Sequence, residues 1–162
     1  MSPVIRPFEP ADLSRLHDIR NAAYKPVYAS FRDLVGPAIA PYAMANAEEG
    51  QGKYLDECCD PSSPQEVHVV EENDTIVGFV TTLANNETKL GVVDLNAVDP
   101  KAQGHGIGSW MYDWALTHLK SQGMKAAEVG TGGDASHAPA RRAYEKAGFG
   151  PSIPNVYYYK EL

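Results

Sequence analysis

Apolar residues in "VIRPFEPADLSRLHDIRNAAY" recur at Leu13, Leu16 and Ile19, the spacing of a helix that buries one face. Pro10 and Asp12 suit the start of that helix, and Val4 to Arg6 before it reads as a short strand. Residues 26–64 hold five prolines and three glycines among mixed apolar positions, and the expectation there is one or two short helices and a long loop. "EVHVVEEN" alternates and is β-branched, "TIVGFVTTLA" is a stronger strand, and Asn73-Asp74 between them is a hairpin turn signal. "LGVVDLNAV" is a third, buried strand. A helix over about Ile107 to Gln122 follows, ended by Gly123; then come a strand around Ala126 to Gly130 and the loop "GTGGD". A helix over about Ala138 to Ala147, stopped by Gly148, precedes a last aromatic strand, "VYYYKEL". Hairpin neighbours mixed with a β-to-α-to-β crossover predict an α/β (α+β mixed sheet) three-layer domain.

Composition narrows this picture. A chain of 162 residues, 43% hydrophobic and 22% charged, is most economically one domain, residues 1–162, with a sizeable core. There is no apolar run of about 18 residues to span a bilayer, and "MSPVIRPFEPADL" has neither the basic start nor the apolar stretch of a signal peptide. A cytoplasmic location is the expectation. The net charge of -7 argues against a nucleic-acid binder. Nine acidic residues against Lys53 alone make the stretch from Ala47 to Asp74 -8 by itself, so the remainder totals +1. That stretch is either a solvated surface or an acidic rim that concentrates a cationic substrate. Cys58 and Cys59 are adjacent, fit neither a disulfide framework nor a zinc spacing, and are expected as free thiols. No metal is expected.

The densest chemical signal is "PKAQGHGIGSW", which puts Gly104, Gly106 and Gly108 between a strand and a helix. A dinucleotide fingerprint needs G-x-G-x-x-G, and a nucleotide P-loop needs four residues between its glycines followed by a lysine. This stretch satisfies neither. What survives is the feature both share: main-chain N–H groups at a helix N-terminus, unshielded by side chains, form a pocket for an anion.

"LNAVDPKAQGHGIGSWMYDWALTHLKSQG" resembles the acyl-CoA-binding core of the GNAT superfamily of N-acetyltransferases, whose signature Gln103, Gly106 and Gly108 satisfy. "HAPARRAYEKAGF" resembles the family's later helix at Ala140, Tyr144, Gly148 and Phe149, with His137 in place of its usual Asn. The resemblance implies a GNAT-like α/β/α fold around a mostly antiparallel twisted sheet of six to seven strands. It implies acetyl-CoA as co-substrate, its pyrophosphate on Gly104, His105, Gly106, Ile107, Gly108 and Ser109 and its pantetheine arm along Asn96, Ala97 and Val98. His137 and Ala140 would also touch the coenzyme. Dimers are common among such proteins, so a homodimer is a further expectation.

Acetyl transfer to an amine needs a base, an oxyanion site and an acid for the departing thiolate. Tyr144 stands where the family's tyrosine protonates the coenzyme's sulfur. Asp94 is the candidate base, because a carboxylate inside a buried strand needs either a partner or a raised pKa; strand alternation puts it on one face with Asn96. His105 and His137 are alternative proton carriers, and Arg141 and Arg142 either reach phosphates or pair at the surface. The reading is direct acetyl transfer to a small cationic amine. The alternatives are a non-catalytic acyl-CoA sensor and a protein N-terminal or lysine acetyltransferase.

Overall fold

The computed structural model describes residues 3–162; Met1 and Ser2, part of the expected domain and of the N-terminal stretch read above, lie outside the described residues. In chain order the elements are β1 (Val4–Pro7), α1 (Leu13–Val35), α2 (Ala40–Ala43), α3 (Ala47–Cys59), β2 (Glu66–Glu72), β3 (Thr75–Asn85), β4 (Leu90–Val98), α4 (Ile107–Ser121), β5 (Ala126–Val129) and α5 (Ala138–Lys146). The strands form one sheet in the order β1-β2-β3-β4-β5. Every pair is antiparallel except β4–β5, whose parallel pairing follows from the α4 crossover between them. Asn73 and Asp74 take positive φ in the β2–β3 turn, as a tight hairpin of this hand demands.

Alternation along the strands feeds two cores, one on each face of the sheet. Val67, Val69, Phe79 and Leu95 meet Leu16, Ile19 and Leu55 from α1 and α3. Val70, Val80 and Val93 meet Met111, Ala115 and Leu119 of α4 and Tyr144 of α5. The result is the expected three-layer α/β/α arrangement.

Two expectations are corrected. Residues 26–64, expected as one or two short helices and a long loop, are mostly helix: α1 runs on through Pro26 to Val35, and α3 adds 13 residues. Pro26 and Ala22, whose carbonyl the proline leaves without its helical partner, are both exposed, so water can serve that group; Val27 and Tyr28 just beyond are buried and hold the helix together. The terminal strand "VYYYKEL" does not form, and the sheet has five strands rather than six to seven. A strand exists only where a neighbour completes its ladder, and within the described chain none does: Tyr157 and Tyr158 remain 82% and 92% exposed.

Candidate active site

The site begins where β4 and β5 separate. The two strands pair only from Leu90↔Ala126 to Val93↔Val129, so beyond Val93 the edge of β4 that faced β5 carries no ladder. On its other side β4 bulges, because Val80 opposes Asn96 while Thr82 opposes Val93. The extra residue reverses the alternation. Asp94 turns toward α3, where its carboxylate accepts from the Tyr54 hydroxyl and from Gln65 Nε2 at 2.9 Å. Asn96 turns toward α4 and α5, accepting from Tyr112 Oη at 2.8 Å and donating to Tyr144 Oη at 3.3 Å. The expectation that Asp94 and Asn96 share a face is therefore corrected. Of the two ways a strand carboxylate can be accommodated, the structure shows the hydrogen-bonded partners.

At the end of β4, Gln103 Nε2 donates to the Val98 carbonyl at 2.9 Å and folds the next loop back on the strand. Gly104 and Gly106 have φ of 85° and 83°, the left-handed region that glycine enters without a Cβ penalty. No protein atom lies within 4 Å of where a Cβ would stand at either position, so these glycines serve the turn and leave open space before it. Gly108 sits in ordinary helix. Gly106 is the N-cap of α4, and no side chain caps this end. The first helical bond is that of Trp110 N–H to the Gly106 carbonyl, 3.0 Å. The N–H groups of Ile107, Gly108 and Ser109 thus stand without helical acceptors at the positive end of the helix dipole. Ile107 and Ala97 bury their side chains in the two cores and offer a ligand only main chain, whereas His105 is exposed.

Between split and loop lies a buried aromatic cluster. The Tyr112 and Tyr144 rings are 4.7 Å apart, and Phe149 packs edge-on against Tyr144. Ala140, one turn before Tyr144, packs against the same core. Tyr24 of α1 donates to the Asn96 carbonyl at 3.0 Å from the other face. Burial pushes the Tyr24 and Tyr112 hydroxyls well above the ordinary phenol range, so both stay protonated. The sequence pattern alone does not single out Tyr24 or Tyr112. Tyr112 stands four residues after Gly108, a helical interval that puts it on the inward side, and this was the available signal.

The loop before α5 is tied down by Asp134. Its carboxylate accepts from Ser30 Oγ at 2.8 Å and from Ser136, and lies 2.5 Å from His137 Nδ1. Burial opposes its ionisation, but these donors outweigh burial and hold the carboxyl well below the usual range. His137 therefore does not cap α5 with its side chain; its ring is held by Asp134 and stacks on Phe31 at 5.6 Å. Gly132 makes this contact possible, since a Cβ there would sit 2.4 Å from His137 Nδ1. Arg141 donates to the carbonyls of Gly132 and Asp134 at 2.6 and 2.8 Å, a loop clamp in place of the phosphate contact or surface pair read from the sequence.

On the α3 side, a cavity of about 580 Å³ is lined by Tyr54, Asp56, Glu57, Cys58, Asp60 and Gln65 among others. Tyr54 and Gln65, the two residues that hold Asp94, thus also line this cavity, together with part of the acidic stretch. Cys58 and Cys59 are free. Burial above all pushes their thiols up to about 11 and about 12, which leaves them poor nucleophiles at neutral pH.

This geometry defines a class: a three-layer fold whose central sheet splits beside an uncapped, glycine-rich helix start, with a buried tyrosine at the split. The profile of the acetyltransferase (GNAT) family matches residues 25–149, and the chain belongs to that family. Among curated relatives, a mycothiol acetyltransferase of Actinosynnema mirum is 36% identical over 89 residues, 55% of this chain and 29% of that protein. The chain spans less than a third of the length of the curated relatives it matches. In fold it is similar to the PaiA N-acetyltransferase of Thermoplasma acidophilum in complex with coenzyme A, with a TM-score of 0.73 at 16% identity over 96% of this chain and 94% of that one. A GNAT acetyltransferase from Brucella melitensis in complex with acetyl-CoA gives 0.62 at 21% identity over 98% and 96%. No helix among the described residues is long and apolar enough to cross a membrane.

Proposed function

We propose that this chain uses acetyl-CoA to acetylate a primary amine on a small cationic acceptor, both substrates being bound together. One observation carries the reading: the β4–β5 split opens beside the uncapped start of α4, with Tyr144 buried against Asn96 on the parted strand. The pyrophosphate would lie on the N–H groups of Gly104 to Ser109, and the extended pantetheine would pair with the main chain of Asn96, Ala97 and Val98 as an added strand. Family membership and the coenzyme-bound proteins of similar fold support acetyl-CoA as the co-substrate.

The bulge divides the labour between the two faces. Asp94, on the acidic cavity's side, takes the proton of the attacking ammonium through a water. The free amine then attacks the thioester carbon, a main-chain N–H near Asn96 or Ala97 meets the oxyanion, and the C–S bond breaks. Tyr144 donates its hydroxyl proton to the departing thiolate, and the proton that the cationic nitrogen loses as it becomes the amide returns to the Tyr144 phenolate. His105 and His137 have no part in this sequence: His105 borders the phosphate site, and the Nδ1 of His137 is engaged by Asp134.

The acidic lining at Asp56, Glu57 and Asp60 supports a cationic acceptor. The likeness to mycothiol acetyltransferases supports acetyl transfer and leaves the acceptor's structure open. A cytoplasmic location belongs to the same reading, since free Cys58 and Cys59 fit a reducing compartment. So does a homodimer: the outer edge of β5 and the exposed "VYYYKEL" segment both lack partners within the described chain.

The test is thiol release from acetyl-CoA by the full chain with a panel of polyamines, aminoglycosides, amino-acid amides and peptide N-termini. Acceleration by the small cationic amines supports the proposal. Tight coenzyme binding with no amine-dependent release would make the chain a sensor, and preference for the peptides would move the acceptor to protein.

A further inference from the structure

Away from the β4–β5 split, β2 and the end of α4 bring together three side chains that acetyl transfer does not use. Glu66 and His68 stand two apart on β2 and point to the face that α4 covers, where His118 in the last turn of α4 meets them. Their potential ligand atoms all lie within 4.8 Å of one another. His118 Nε2 is 2.7 Å from Glu66 Oε2, and Gln122 Nε2 donates to the other carboxylate oxygen at 2.5 Å. Trp114 stacks on the His118 ring at 4.8 Å and lies 4.5 Å from that of His68.

The telling atom is on His68. This side chain is nine-tenths buried, yet its Nδ1 is fully enclosed with no hydrogen-bond partner, an arrangement that folded proteins avoid. Glu66 and His118, by contrast, satisfy each other at a partly exposed rim, with side chains 46% and 22% exposed. We propose that Glu66, His68 and His118 form a binding site for a divalent transition cation of the zinc class, which ties the end of α4 to β2 and leaves further positions to solvent.

Two imidazoles and one carboxylate are a donor set that zinc accepts, whereas magnesium and calcium favour oxygen alone. Zinc bonds of about 2.0–2.2 Å put tetrahedral donors about 3.3–3.6 Å apart, between the 2.7 Å of the Glu66–His118 contact and the 4.8 Å that bounds the three ligand atoms. Gln122 and Trp114 would orient the ligands from outside, as outer-shell groups do in metal sites. A cation here also sits at the negative end of the α4 dipole, so the helix that presents an anion site at its start would be held by a cation at its finish.

The test is calorimetric titration of the chelator-treated full chain with zinc, alongside thermal unfolding with and without the metal. The expected result is one zinc per chain and a raised unfolding temperature, with affinity at least tenfold weaker in His118→Gln and Glu66→Gln. These partly exposed positions leave the fold intact, and circular dichroism verifies it. No saturable binding would overturn the proposal. So would zinc binding that both variants retain, the result expected if Cys58 and Cys59 held the metal instead.

Discussion

Replacing Gly106 with alanine separates the two things that glycine does. Its φ of 83° places an alanine in the left-handed region, at a cost of about 1–2 kcal/mol. No steric contribution adds to this, because nothing lies within 4 Å of the new Cβ. For a chain of this size 1 kcal/mol lowers the unfolding temperature by roughly 2–4 °C, so a fall of about 2–8 °C is expected. The methyl group occupies space that is open in the free chain and that the proposed pyrophosphate would share. Loss of one charge-assisted hydrogen bond to a phosphate weakens binding by about 1.5–3 kcal/mol, roughly ten- to a hundredfold. Thermal unfolding by circular dichroism and calorimetric titration with CoA, on the same preparation, read the two effects. Gly108→Ala is the internal control: its Cβ would meet Tyr112 and Val98 at 3.9 Å, an ordinary contact, so stability should hold or rise by up to about 1 kcal/mol. An unchanged CoA affinity in Gly106→Ala would refute the phosphate assignment, and an unchanged unfolding temperature would refute the left-handed cap.

Other expectations follow from the same geometry. Tyr144→Phe should lower kcat by about 10²-fold or more, the usual contribution of a positioned proton donor, with little change in CoA affinity; full turnover would remove Tyr144 from the mechanism. Asp94→Asn should depress kcat/KM for the amine and leave CoA binding within twofold, as measured by steady-state kinetics and titration. Asp134 has a folded pKa below its unfolded one. Its contribution to stability is therefore complete above the ordinary aspartate range, about pH 4, and is lost as pH falls toward the folded value. Chemical denaturation at stepped pH should show Asp134→Asn least different from the parent at the acid end, and a constant difference across that window would contradict the assignment. Light scattering should return twice the 17.6 kDa chain mass, and deletion of residues 152–162 should return a monomer; a parent already monomeric would remove the dimer.

What was legible in the sequence follows a physical division. The strands from Glu66 to Val98 and the helix after Gly106 declare themselves through period and turn residues, because each buries one face with its own local pattern. Residues 26–64 do not, since Pro26 reads as a breaker in isolation and only the burial of Val27 and Tyr28 carries the helix past it. The bulge at Asp94 is invisible to simple alternation, which puts Asp94 and Asn96 on one face. Tyr24 and Tyr112 enter the site through contacts with Asn96 across 72 and 16 residues of chain, distances that no local pattern spans. Glu66, His68 and His118 are hidden in the same way, meeting only when α4 lies across β2. Gly104 and Gly106 were legible as glycines with a purpose; that Gly108 has no need of positive φ was not.

The most direct test of the account is a crystal structure of the full chain with CoA bound. It should show pyrophosphate oxygens within hydrogen-bond distance of the N–H groups of Gly104 to Ser109, pantetheine along Asn96 to Val98, and sulfur beside the Tyr144 hydroxyl. Coenzyme bound elsewhere, or a β4–β5 split left empty at saturating CoA, would contradict it.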